Sequence, residues 1–303
     1  MKNTVKKINK FIDKHKLTGY IFASPWIIGF SIFFIIPILN LIYYSFTDFN
    51  LIADPSWVGL ENYHHLLVDP KILKALKVTV SYVIFSVIPR LAFALFIAIK
   101  LNQKRKGIGI YRTIYYIPSI LGGSVAVAVL WRMLFTRDGV INSLLGLIGI
   151  HSGISYIGNP KTALSTIILL AIWQFGSSML IFLAGLKNIS PTYYEAAAID
   201  GAGRFSIFKN ITLPLLSPVI LFNIIMQIIN GFMVFTQGYI ITKGGPLNST
   251  LFWVLYMYRR GFESYDMGYA SAMALIMLLI VALISLFVFK TSSKWVFYEV
   301  KEN

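Results

Sequence analysis

The sequence predicts an all-α membrane protein of about six transmembrane helices, and three features carry that prediction. Hydrophobic residues make up 57% of the chain and charged residues 13%, well under the roughly 25% charged fraction of a soluble domain. Six stretches are long and apolar enough for a bilayer core about 30 Å thick, which takes about 20 mainly apolar residues per helix. The basic residues gather on alternate loops, the Lys/Arg asymmetry of the positive-inside rule. The protein has no cysteine, so disulfides, thiolate zinc sites and iron–sulfur ligation are excluded together.

Residues 1–17 form a basic arm with Lys2, Lys6, Lys7, Lys10, Lys14 and Lys16, suited to an anionic lipid surface and to setting topology. The apolar run near 20–46 outlasts the about 7–15 residues of a cleavable signal core, so it reads as an uncleaved first span. The other five stretches lie near 76–101, 113–135, 163–186, 215–242 and 268–289. They make one membrane domain over 18–290, followed by a short tail, 291–303. With the N-terminus in the cytoplasm, the arm, the loop carrying Lys100, Lys104, Arg105, Lys106 and Arg112, the loop 188–214 and the tail share one side. The opposite side carries Asp48, Asp54, Glu61, Asp69, Arg137, Asp138, Glu263 and Asp266. Topology therefore accounts for the net charge of +15, and no nucleic-acid partner is expected, because such a binder gathers its cations on one folded face.

Between the fourth and fifth stretches lies a polar segment, Glu195 to Pro214, reading EAAAIDGAGRFSIFKNITLP. Ser190 suits a helix N-cap and Pro191 the first helical position. Tyr193 stands where a full capping box wants Glu or Gln. Ala196, Ala197 and Ala198 favour a helix without bulk, and Gly201 and Gly203 allow the backbone to reverse. A second limb through Phe205, Phe208 and Ile211 then leads to Leu213-Pro214, which opens the fifth span.

This segment resembles the coupling loop of bacterial ABC importer permeases, whose pattern is Glu-Ala-Ala, three residues, Gly, nine residues, Ile, any residue, Leu-Pro. Glu195, Ala196, Ala197, Gly201, Ile211, Leu213 and Pro214 meet every fixed position. Two further likenesses point to the carbohydrate branch, in the manner of maltose or glycerol-phosphate transporter permeases. One is Trp57-Val58-Gly59-Leu60-Glu61-Asn62-Tyr63, similar to the W-x-G-L-x-N-Y segment of sugar-importing members. The other is Gly244-Gly245-Pro246 followed by Met267-Gly268-Tyr269-Ala270-Ser271-Ala272.

The resemblance implies a multi-pass permease of the bacterial cytoplasmic membrane, its termini in the cytoplasm, paired with a second, different permease. It implies two ATPase subunits that hold ATP and Mg, and an extracytoplasmic sugar-binding protein. The phosphate-loop pattern G-x-x-x-x-G-K-[ST] does not occur in the sequence, so the protein lacks that route to holding ATP itself. No cofactor and no catalysis are expected of it, and the coupling residues would pass closure of the ATPase dimer to the spans.

Within the spans, Asn223, Gln227, Asn230 and Gln237 fall at offsets 0, 4, 7 and 14, one face of a continuous helix. Such amides suit either sugar hydroxyls along a path or hydrogen bonds between helices. In the fourth span Trp173, Gln174, Ser177 and Ser178 offer an aromatic face and further polar groups, or packing. Arg90, beside Pro89 in the second span, costs at least about 2.5 kcal/mol unless it faces a cavity or a partner. It either bonds carbonyls freed by Pro89 or the partner permease, or meets an anionic sugar. His64, His65 and Asp69 are the one histidine cluster, read as a surface rather than a metal site. No span carries a central Asp or Glu, which disfavours an ion-coupled carrier. A non-transporting scaffold is the other alternative.

Overall fold

The computed structural model describes residues 18–103, 106–150 and 153–297. The basic arm, Lys104, Arg105 and the last six positions of the tail lie outside the described residues. Those described are helical, with no strand beyond one isolated bridge between Thr47 and Trp57. Among the described residues five helices are long and apolar enough to span a membrane: Phe22–Ser45, Pro70–Leu101, Ala163–Asn188, Arg204–Phe232 and Met267–Ser292. A sixth span exists if two shorter helices, Ile108–Leu121 and Val125–Leu134, are counted as one bent by 94°.

That bend corrects the expectation of a straight third span over 113–135. Gly122 and Gly123 weaken helix propensity at the junction, and Ser124 restarts the helix as an N-cap, its Oγ accepting from the Val127 N–H at 3.3 Å. The fourth span also departs from a regular helix, turning at Gln174 and Phe175 between Ala163–Trp173 and Gly176–Asn188. The fifth span is corrected at both ends. It begins at Arg204, deeper in the loop than the apolar run suggests, and stops at Phe232. Gly238–Thr242 follows as a separate π-helical turn.

The protein forms two compact units. One holds the first span, the loop after it and Arg260–Leu275. Here the W-x-G-L-x-N-Y segment closes the C-terminal end of the first span. The Asn62 amide donates to the Ser45 and Thr47 carbonyls at 3.0 and 2.8 Å, taking up acceptors that the helix end leaves open. Tyr63 shares a hydrogen bond with Ser45 at 2.7 Å, and Trp57 stacks on Phe46 at 5.3 Å. Gly268 fits because it lacks a side chain: a Cβ there would lie 2.0 Å from the Thr47 carbonyl oxygen. In the adjoining loop the Ser56 hydroxyl and amide both donate to Asp48 and hold its carboxyl below the usual carboxylate range. His64 and His65 are exposed, and His65 lies against Tyr269. Among the described residues no group of three or more His, Cys, Asp or Glu is disposed to hold a metal.

The other unit, Leu67–Arg259 with the residues from Ile276 onward, is built around the second span. Asp69 caps that helix, accepting from the Lys71 N–H at 2.9 Å, with Pro70 in the first position. Ala75, Ala94 and Ala98 are fully buried, and small residues of this kind let helix backbones approach closely in a membrane. The fourth and fifth spans pack against it, while Ile84, Phe85, Ile88 and Phe96 remain on its outer face.

Candidate functional site: a polar loop joined to a polar cavity

The loop folds as its sequence suggests. Ser190 caps the helix Pro191–Ile199, its Oγ accepting from the Thr192 N–H at 3.4 Å. The helix ends at Gly201, whose φ of +72° is the left-handed conformation that glycine adopts freely. The Ala202 N–H donates back to the Ala197 carbonyl at 2.9 Å and closes the turn. Gly203 caps the next limb, Arg204–Ile207, which runs through a π-helical turn at Phe208–Thr212 into Leu213–Phe232. Tyr194 and Thr212 share a hydrogen bond at 3.3 Å, tying the two limbs together.

The seven motif residues divide by exposure. Ala197 is buried, and Ile211, Leu213 and Pro214 are half-buried. Glu195, Ala196 and Gly201 are exposed. At the tip two large apolar side chains stand in the open, Ile199 at 87% and Phe205 at 77% exposure. Both stand on the polar segment between two spans rather than in an apolar stretch. The sequence pattern singles out Phe205 but not Ile199, whose one signal is its place between the alanines and Asp200. Clefts flank the helix. One of about 690 Å³ is bordered by Asn188, Tyr193, Ala196, Pro218 and Phe297. The other, about 870 Å³, is bordered by Lys106, Arg112, Lys187 and Glu195.

The second feature is a cavity of about 360 Å³ inside the same unit. Five of the six path residues read from sequence line it: Arg90, Gln174, Gln227, Asn230 and Gln237. Asn223 does not. Its side chain is fully buried and its amide bonds back to the Val219 carbonyl at 3.3 Å. The stripe assumes a helix continuous to offset 14; because the helix stops at Phe232, Gln237 reaches the cavity from the following turn instead. Gln227 donates to the Ser178 hydroxyl at 3.0 Å, whereas among the described residues the Asn230 and Gln237 side chains make no hydrogen bond. Trp173 is not in the lining; it packs against Trp131 with ring centres 5.9 Å apart.

Arg90 does bond a freed carbonyl, but not one freed by Pro89. Its Nη2 donates to the carbonyl of Gln174, at the turn in the fourth span, at 2.6 Å. Ser119 donates to the same carbonyl at 2.9 Å, and the Gln174 side chain reaches the Gly122 carbonyl at 2.8 Å. The turns of the fourth span and of the bent pair thus lock together. Gly176 makes the approach possible, since a Cβ there would sit 2.4 Å from the Tyr115 carbonyl oxygen. Tyr82 and Ser86 also line the cavity, and sequence reasoning misses them. Their places eight and four residues before Arg90 are the signal that puts all three on one helix face.

The sequence matches the family described as "Binding-protein-dependent transport system inner membrane component" over residues 78–294. It is 55% identical over 300 residues to the "Probable ABC transporter permease protein YesP" of Bacillus subtilis, covering 98% of this chain and 97% of that one. It is 33% identical to the "Arabinooligosaccharides transport system permease protein AraP" of the same organism, covering 92% and 90%. The fold is shared with a subunit of a bacterial ABC transporter involved in the import of the acidic polysaccharide alginate, at a TM-score of 0.77 and 23% identity, covering 95% of this chain and 99% of that one.

Proposed function

Because the chain belongs to the binding-protein-dependent transport system inner membrane component family, we propose that it is the permease subunit of an ATP-driven importer of di- or oligosaccharides. Its partners are a second, different permease, two ATPase subunits that hold ATP and Mg, and an extracytoplasmic sugar-binding protein. It sits in the bacterial cytoplasmic membrane with both termini in the cytoplasm. The protein itself carries out no catalysis.

The observation that carries this reading is the continuous helix from the loop to the cavity. Arg204–Phe232 runs without interruption from the exposed loop tip to Gln227 and Asn230, a reach of about 35 Å at 1.5 Å per residue. Force applied to Glu195 and Ile199 by a closing ATPase dimer moves the first limb, and force on Phe205 acts on the second limb directly. The Tyr194–Thr212 contact and the turn at Gly201 pass that movement to the helix. The cavity wall then shifts between two arrangements, one open to the outside and one to the cytoplasm. The amides of Asn230 and Gln237 offer donors and acceptors to sugar hydroxyls without adding charge. A relative's name supports the sugar class, since one is named for arabino-oligosaccharides.

The test is uptake by proteoliposomes holding the complete set of subunits and the binding protein, given a labelled oligosaccharide pool. Accumulation is expected with ATP inside and none with a proton or sodium gradient alone. Gradient-driven uptake without ATP contradicts the proposal.

A further inference from the structure

We infer that the cavity selects oligosaccharides carrying a carboxylate, and that Arg90 is the specificity-determining residue, an inference that rests on the sugar-import reading above. Arg90 lies in the second span and borders the cavity together with Tyr82, Ser86, Gln227, Asn230 and Gln237. Among the described residues no Asp or Glu borders that cavity, and none forms a salt bridge with Arg90. One guanidinium N–H is used, from Nη2 to the Gln174 carbonyl at 2.6 Å.

Bracing the turn in the fourth span does not account for a charge at this depth. The Gln174 carbonyl already accepts from the Ser119 hydroxyl at 2.9 Å, and a neutral amide at position 90 could supply the second bond. A cation inside a membrane is costly unless it meets an anion or water. The guanidinium fork is shaped for a carboxylate, to which it can present two parallel N–H groups. The neighbouring amides and hydroxyls then serve the ring hydroxyls of the same sugar. A uronic-acid residue within an oligosaccharide combines these two chemistries.

The experiment uses the complete transporter with its binding protein in proteoliposomes. The probes are labelled uronic-acid oligosaccharides prepared from several polyuronides, the same pool after methyl esterification, and a neutral oligosaccharide pool. Wild type is expected to take up the free acids at least about tenfold faster than the esters, the scale of losing a hydrogen bond to a charged group. In Arg90→Gln the acid-to-ester ratio is expected to fall toward one. Because the binding protein is unchanged, any selectivity it contributes persists in the variant. Arg90→Lys keeps the charge but not the fork, so it is expected to retain only part of the preference; an assembled Arg90→Lys complex with the full wild-type ratio counts against the role given to the fork, and one with no preference at all counts against the role given to the charge. Co-purification with the ATPase reports assembly. Equal uptake of acid and ester by wild type overturns the proposal whether or not Arg90→Gln assembles, and so does an unchanged ratio in an assembled Arg90→Gln complex. ATP-driven uptake of the neutral pool alone also overturns it, while leaving sugar import standing. No ATP-driven uptake of any pool defeats the import reading itself.

Discussion

Gly201→Leu is expected to reduce ATP-driven uptake to background while the protein still inserts in the membrane. The residue holds φ at +72°, where a side chain costs about 1–2 kcal/mol. A clash is not the cause, because nothing lies within 4 Å of where its Cβ would stand. Instead the strained turn relaxes. The Ala202-to-Ala197 closure is lost, Ile199 and Phe205 move apart, and a bulky side chain is added to the exposed surface proposed to meet the ATPase. Gly201→Asn is the control, since Asn tolerates the left-handed region and adds little bulk; it is expected to keep most of the uptake. Normal uptake and normal ATPase co-purification in Gly201→Leu contradict the role given to this loop.

The second large effect separates two amides that sequence alone treats alike. Asn230 faces the cavity with no hydrogen bond among the described residues, so Asn230→Leu is expected to leave assembly intact. On the proposed function it removes a group that bonds the sugar, worth about 1–3 kcal/mol, and the sugar concentration for half-maximal uptake is expected to rise by about tenfold or more. Gln227 is buried and donates to Ser178 at 3.0 Å. Gln227→Leu leaves that hydroxyl without its partner, and its first effect is expected on thermal stability, again about 1–3 kcal/mol. Thermal denaturation of the purified complex and uptake titrations read the two effects separately. A stability loss in Asn230→Leu as large as that in Gln227→Leu would mean that both amides merely hold helices together.

The spans are legible because the bilayer imposes a length, and about 20 apolar residues announce themselves in any sequence. The loop 188–214 is legible because each of its steps has local chemistry: a cap at Ser190, a helix-forming alanine run, and a reversal that needs Gly201. The turns inside the membrane are less so. Gly122-Gly123-Ser124 carries a break signal that the apolar surroundings mask. The turn at Gln174–Phe175 has almost no local signal, since it is held by Ser119, Arg90 and the close approach at Gly176, contacts between residues far apart in sequence. The amide stripe is half legible for the same reason. Periodicity assigns a face only while the helix lasts, so it gives Gln227 and Asn230 a common wall, puts Gln237 on the right cavity by the wrong path, and cannot see that Asn223 turns back on its own helix. Tyr82 and Ser86 stay hidden because an apolar-looking Tyr and a lone Ser draw no notice until Arg90 marks their face.

The central claim is that the exposed tip of the loop is where a separate ATPase takes hold on the cytoplasmic side. Ile199→Cys tests it most directly, because the side chain is 87% exposed and the protein has no native cysteine to confuse the labelling. A membrane-impermeant maleimide is expected to label this cysteine in inside-out vesicles and not in right-side-out ones, and bound ATPase subunits are expected to protect it. Labelling from the outer face, or labelling that bound ATPase leaves unchanged, would contradict the claim.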